Sequence, residues 1–291
     1  MKYNRILAVI LIILILQSCA TLQLTKEGEA AYKDGDYKKA LNSLEQVIEV
    51  KEDQGKKAEA VVYYKAGMAA RKLDKTEKAE EYLDRAAYLE YAEPTLYVTL
   101  AHIYRDIDNL SKEIEALESY HETFPEGNDI KEINARLFKT YVESENWNKA
   151  VDLWPEVKEQ AQDDVSLLAG YLTVNKELEE DAKSDELAAQ IVKQDADNLT
   201  ALEWYAFKYF WKAENTYVRE MKAYQKNRTT TQYKKLLKAW DRIWPDFRKS
   251  RDYFKKLYSL EPKPIYAKYL GRIYRRMDKK QKAAYWERRA K

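Results

Sequence analysis

The chain of 291 residues balances 51 Lys and Arg against 49 Asp and Glu, and it carries 24 Tyr and seven Trp beside only seven Gly, six Pro and one Cys. At 45% hydrophobic and 34% charged it is too apolar for a disordered tail and too polar for a multispan membrane protein. So few turn formers exclude a sandwich or barrel, which turns about every 8–12 residues, while one Cys excludes an intrachain disulfide and two His leave little for a nitrogen-ligated metal.

Lys2 and Arg5 open the chain, and Ile6 to Leu16 then run eleven residues without a polar side chain. A membrane-spanning helix needs roughly 20 apolar residues to cross about 30 Å of hydrocarbon, so this run is too short. A basic start with a short apolar middle reads as an export signal. The run closes in Leu16-Gln17-Ser18-Cys19, and this end resembles bacterial lipoprotein signal peptides, in which the cysteine after a Leu-x-small segment is acylated. The resemblance implies a signal peptide over 1–18, acylation at Cys19, a lipidated linker over 19–23 and a mature chain of 273 residues. It also implies anchoring in the cell envelope, at the outer membrane and facing the periplasm. Acylation of this kind supplies more than the two signals that stable anchoring requires.

The body repeats itself. Gly28-Glu-Ala-Ala-Tyr32 leads to Gly35-Asp-Tyr37-Lys-Lys-Ala40, then Leu44 and Val47. Tyr63-Tyr-Lys-Ala-Gly67-Met-Ala-Ala70 leads likewise to Lys75-Thr-Glu-Lys-Ala79, then Leu83 and Ala86. A third unit holds Tyr97, Leu100-Ala101, Tyr104, Leu117, Tyr120 and Pro125; a fourth holds Leu137, Tyr141, Trp147-Asn-Lys-Ala150 and Trp154. This pattern resembles the tetratricopeptide repeat, a unit of about 34 residues in two antiparallel helices with small residues where they touch. The expected fold is therefore an all-α solenoid of about seven to eight helix-turn-helix repeats.

Beyond residue 163 the units decay. Leu168-Ala-Gly170-Tyr-Leu172 precedes Leu187-Ala-Ala-Gln-Ile191; Trp204, Phe207 and Trp211 precede Tyr217 and Tyr224; Leu237, Trp240 and Trp244 precede Phe254 and Leu257; and Leu270-Gly271 precedes Lys282-Ala283 and Trp286. Each stretch is read as one further helix pair. Trp204, Trp211, Trp240 and Trp244 are expected at core positions, filling the space between decayed helices.

No constellation for catalysis emerges. Glu118-x-x-His121 is half of a carboxylate di-iron motif without its second half. No Gly-x-Gly-x-x-Gly, Walker loop or His-Glu-x-x-His occurs. No enzyme, metal or cofactor is expected.

Charge is segregated along the chain. Residues 19–198 carry 23 Lys and Arg against 40 Asp and Glu, and residues 199–291 carry 26 against 9. The body is thus read as acidic repeats over 24–198 followed by basic, aromatic-rich repeats and a cap over 199–291. A segment of net charge +17 repels itself, which favours a counter-surface such as an acidic partner. Nucleic acid would match the charge but is not met by an exported lipoprotein.

In tetratricopeptide proteins the first helix of each unit lines the concave face where peptides bind. By register this implies partner contacts at Tyr64, Arg71, Arg105, Tyr205, Tyr209, Lys212, Lys268, Arg272 and Arg275. Tyr, Arg and Lys suit a protein or peptide partner with carboxylates and apolar anchors. The expected function is a membrane-anchored interaction scaffold in an envelope complex of the assembly, secretion or gliding type. The alternative is a glycan- or peptidoglycan-binding lipoprotein, which Trp exposed at the groove would favour.

Overall fold

The computed structural model describes residues 20–291, and among them only helices and turns. Two compact units are present, Met1–Thr140 and Tyr141–Lys291, and the break falls inside a helix. The charge boundary at 198/199 lies elsewhere, within the second unit.

The first unit holds α1 (20–33), α2 (Tyr37–Asp53), α3 (Ala60–Lys72), α4 (Thr76–Tyr88), α5 (Pro94–Asp106) and α6 (Leu110–Thr123), and α7 (Ile130–Glu143) begins in it. Residues 20–23, expected as a linker, already lie in α1. The second unit continues with α8 (Trp147–Val157), a 3₁₀ turn at Gln160–Gln162, α9 (Val165–Glu177), α10 (Asp181–Gln194), α11 (Leu199–Lys226), α12 (Thr230–Leu260), α13 (Pro264–Arg276) and α14 (Lys280–Arg289). Chain order gives seven pairs among the described residues.

Six of the seven intrapair turns share one device. Gly35, Asp74, Asp108, Glu145, Glu179 and Asp278 are left-handed, with φ between 53° and 81°. In each turn the next amide reaches back to a carbonyl five residues earlier, from Asp36 to Ala31 through Lys279 to Tyr274, at 2.8–3.0 Å. That bond is the 6→1 closure of a Schellman motif, and the left-handed residue breaks the helical run. Glycine adopts this conformation without strain; the five acidic residues hold it at a cost of about 1–2 kcal/mol each.

The turn sets the packing register. Five residues after each left-handed position stand Ala40, Ala79, Glu113, Ala150, Ser184 and Ala283, every one buried. On the facing first helix, a Cβ added to Gly28 would lie 2.7 Å from Leu44 Cγ, and one added to Gly67 would lie 2.7 Å from Leu83 Cγ. The paired helices therefore meet at a distance that only small residues allow. Ala79→Leu inserts bulk into such a contact at a cost of about 1–3 kcal/mol, so its melting temperature should fall by several degrees. A superimposable thermal melt would contradict the register.

Glu113 occupies an alanine place and is fully buried. The exception is explained by Arg136 Nε at 2.7 Å and Arg105 Nε at 3.1 Å, which neutralise the carboxylate from α7 and α5. A buried charge persists only where such partners meet it.

The pair α11/α12 departs from the repeat. These helices have 28 and 31 residues, against 10–17 in the others from α2 onward. Residues 201–228 and 231–262, expected as two helix pairs, are instead one long helix each. Leu199–Lys226 contains neither Gly nor Pro, and no left-handed residue interrupts it, so nothing stops α11 after the usual four turns. Asn198 and Thr229 cap the two helices by accepting the amides of Ala201 and Gln232.

The core of the second unit is aromatic. Phe210, Phe247, Phe254 and Tyr266 are fully buried among Leu270, Ile273 and Ala206. Ser250 Oγ, itself buried, donates to the Ala206 carbonyl at 2.8 Å and joins α12 to α11.

Candidate functional site

A groove of about 760 Å³ runs between α9 and α11, the first helices of successive pairs. Its apolar lining is Leu172, Phe207, Trp204 and Trp211, and its polar rim includes Lys176, Asp181, Glu203, Lys208 and Lys212. Residues 204, 207, 208, 211 and 212 share one stripe of α11 because they recur at three- and four-residue spacing. Trp211 is 43% exposed, which corrects the expectation that it is a core residue. It follows the buried Phe210 on the helix and so turns out of the core. Trp204 is half-buried and its indole N–H donates to Asp185 Oδ1 at 2.8 Å. Trp240 and Trp244 pack at the rim of the core.

The positions expected from register scatter over several surfaces. Lys212 lines the groove, with its ammonium 3.0 Å from Asp246. Tyr205 and Tyr209 lie on another flank of α11, stacked with Tyr253 of α12 at centroid distances of 5.3 and 6.2 Å. Lys249 already covers the Tyr209 ring at 4.8 Å. Arg272 lies over Phe210 at 4.7 Å and Trp211 at 5.5 Å, and it reaches Glu214 at 3.5 Å. Arg275 Nε pairs with Glu287 at 3.0 Å, and Lys268 is exposed. In the first unit Arg71 pairs with Asp106 at 3.0 Å and Arg105 with Glu113. Tyr64 rests against Tyr91 at 4.8 Å, and burial pushes its hydroxyl up to about 12. Most of the basic residues taken for docking contacts thus hold the fold together, and reversing Lys212, Arg272 and Arg275 together would break internal ion pairs.

One arrangement escaped the sequence reading. Glu214, on α11, is buried and receives Arg276 Nε at 2.9 Å as well as Arg272. Arg276 also lies 4.2 Å over the Tyr217 ring. Burial pushes the Glu214 carboxyl up, but the hydrogen bond and charge of Arg276 and the charge of Arg272 outweigh it, and the group ends below its ordinary value of 4.5. A depressed carboxyl contributes stability above its unfolded pKa and loses it as pH falls through the folded one. On acidification below about pH 5, wild type should therefore lose more stability than Glu214→Gln. Parallel melting-temperature profiles for the two proteins would contradict this.

A second cavity of about 650 Å³ in the first unit is lined by Glu52, Asp84, Glu115, Lys112 and several tyrosines. Two of its acids are engaged internally: Tyr63 donates to Glu52 at 3.3 Å, Tyr104 donates to Asp84, and Lys112 meets Asp84 at 3.0 Å. Among the described residues no group of three or more His, Cys, Asp or Glu is placed to hold a metal ion, and no helix is long and apolar enough to cross a membrane. Cys19 lies outside the described residues.

Residues 60–92 match the tetratricopeptide repeat family. No curated protein matches the sequence. Among solved structures, a candidate protein binding protein from Bacteroides ovatus is similar at 16% identity over 65% of this chain and 99% of that one, with a TM-score of 0.51. A tetratricopeptide repeat protein from Parabacteroides merdae follows at 14% identity, 93% and 92% coverage and a TM-score of 0.43. The C-terminal part of a repeat-containing protein from Cytophaga hutchinsonii follows at 12%, 91% and 93%, and 0.48. The match at 60–92, which spans α3 and α4, and the helix-pair fold support a protein of the tetratricopeptide-repeat type.

Proposed function

We propose that the chain is a membrane-anchored protein–protein interaction scaffold of a bacterial cell envelope, holding a segment of its partner in the groove between α9 and α11. The observation that carries this reading is the groove itself, in which exposed Trp211 and the apolar Phe207 and Leu172 lie beside charges of both signs. A partly exposed aromatic in a concave site is the usual anchor of a binding hot spot. The groove offers no nucleophile with an adjacent base, so capture rather than turnover is the chemistry it supports. Selection of displayed peptides on the chain from Ala20 onward tests the reading. Enriched sequences should carry an apolar anchor, and failure to enrich any peptide would count against a protein partner.

The exposure of Trp211 also favours a second reading, a glycan or peptidoglycan ligand stacked on its indole. Soluble peptidoglycan fragments that quench tryptophan fluorescence and displace no peptide would support that ligand.

Anchoring rests on Leu16 to Cys19. Cys19→Ala should abolish incorporation of a metabolic acyl probe and leave the chain uncleaved or released. Label retained on that variant would rule out the anchor.

A further inference from the structure

The free cations of the second unit lie apart from its groove. Val218 to Arg242, the outer part of the α11/α12 hairpin, holds eight Lys and Arg against two acids. Lys222, Lys226, Arg228, Lys234, Lys235 and Lys238 are exposed and form no ion pair among the described residues. Lys208, Lys212, Arg272, Arg275 and Arg276 each face a carboxylate. The same hairpin exposes Val218 by 47%, Tyr233 by 45% and Leu237 by 39%. Tyr224 meets Tyr233 at 5.7 Å, which sets the two helices in register and brings Val218 and Leu237 to one level. Tyr233, Leu237, Trp240 and Trp244 follow a spacing of four, three and four on α12, one stripe of a helix with Lys234 and Lys238 along its solvent side and the buried Leu236, Ala239 and Ile243 along the other.

We infer that this hairpin docks on an anionic phospholipid surface. Exposed Tyr and Leu beside half-buried Trp on one stripe, bordered by Lys on the solvent side, is the composition of a helix lying in the lipid interface, its cations on headgroup phosphates and its apolar edge among the upper acyl carbons. About 14 residues beyond the usual length project each helix about 20 Å, which gives two parallel edges of contact. The acidic repeats of a second copy match the charge but not the apolar part. Their exposed large hydrophobics stand singly, Tyr88 at the end of α4 and Ile107 and Leu178 in the turns after α5 and α9. The inference is independent of acylation, since the chain from Ala20 carries every described element and no cysteine.

The test is sedimentation of that chain with vesicles of phosphatidylcholine alone and of phosphatidylcholine mixed with phosphatidylglycerol. Three variants are compared at matched folding, judged by thermal melts. They are Lys234→Glu/Lys235→Glu/Lys238→Glu on the hairpin, Lys279→Glu/Lys280→Glu/Lys282→Glu at α14 with the same change in net charge, and Leu237→Ser. Each basic residue near an anionic leaflet multiplies affinity about fivefold. Wild type should bind the mixed vesicles and not the neutral ones. The hairpin triple should lose roughly tenfold or more, the α14 triple much less, and Leu237→Ser should weaken binding at constant charge. Equal losses in both triples, full binding by Leu237→Ser, or a wild type that ignores vesicles and instead forms salt-sensitive oligomers would overturn the inference.

Discussion

Phe254→Ala should lower the stability of the Tyr141–Lys291 unit by about 3–5 kcal/mol, in the range found for phenylalanine truncation in a close-packed core. The ring is fully buried and meets Phe207 of α11 at 5.1 Å, edge to face, and Tyr269 of α13 at 5.2 Å, stacked. It is therefore the wedge on α12 that touches both neighbouring helices, and no nearby side chain can collapse into its place without breaking an aromatic pair. The urea midpoint should fall at unchanged slope, with faster hydrogen exchange in α11, α12 and α13. A loss below about 1 kcal/mol would mean that this aromatic cluster is loosely packed.

Trp211→Ala should do the reverse, leaving the melt nearly unchanged while weakening capture of groove-selected peptides about thirtyfold or more, the loss of a central aromatic hot spot. Trp211 keeps much of its ring in solvent, and its edge contacts with Phe210 at 5.2 Å and Tyr269 at 6.3 Å are peripheral to the core. Tyr88→Ala, at an exposed aromatic of the first unit, is the matched control and should bind as wild type. Titration calorimetry with one selected peptide separates the two, and equal affinities for Trp211→Ala and Tyr88→Ala would remove the groove from consideration.

The residues that revealed the repeats are those with no conformational alternative. Gly28, Gly67, Ala40, Ala79 and Ala150 sit where helices approach too closely for larger side chains, so their spacing is readable in the sequence. Acidic residues at Asp108, Glu145 and Glu179 hide equivalent turns, because left-handed backbone is written there without glycine. The α11/α12 hairpin reads as two units in the sequence for a related reason. Helical periodicity shows that a segment is helical but not how far it continues: α11 has neither Gly nor Pro to mark an end, and α12 runs on through Pro245. The site was less readable still. Register places Arg272 and Lys212 on first helices, yet it says nothing of Glu214 and Asp246, whose carboxylates draw those side chains inward. Trp211 and Phe210 are adjacent aromatics with opposite environments, a distinction made by one step of about 100° around the helix.

Hydrogen exchange of the chain from Ala20 onward, with and without a bound selected peptide, tests the account most directly. Docking in the first-helix groove predicts slowed exchange and side-chain protection confined to the segments around Leu172 to Lys176 and Thr200 to Lys212, with the acidic cavity of the first unit unchanged. Protection centred on Glu52, Tyr82 and Glu115, or none along α9 and α11, would contradict it.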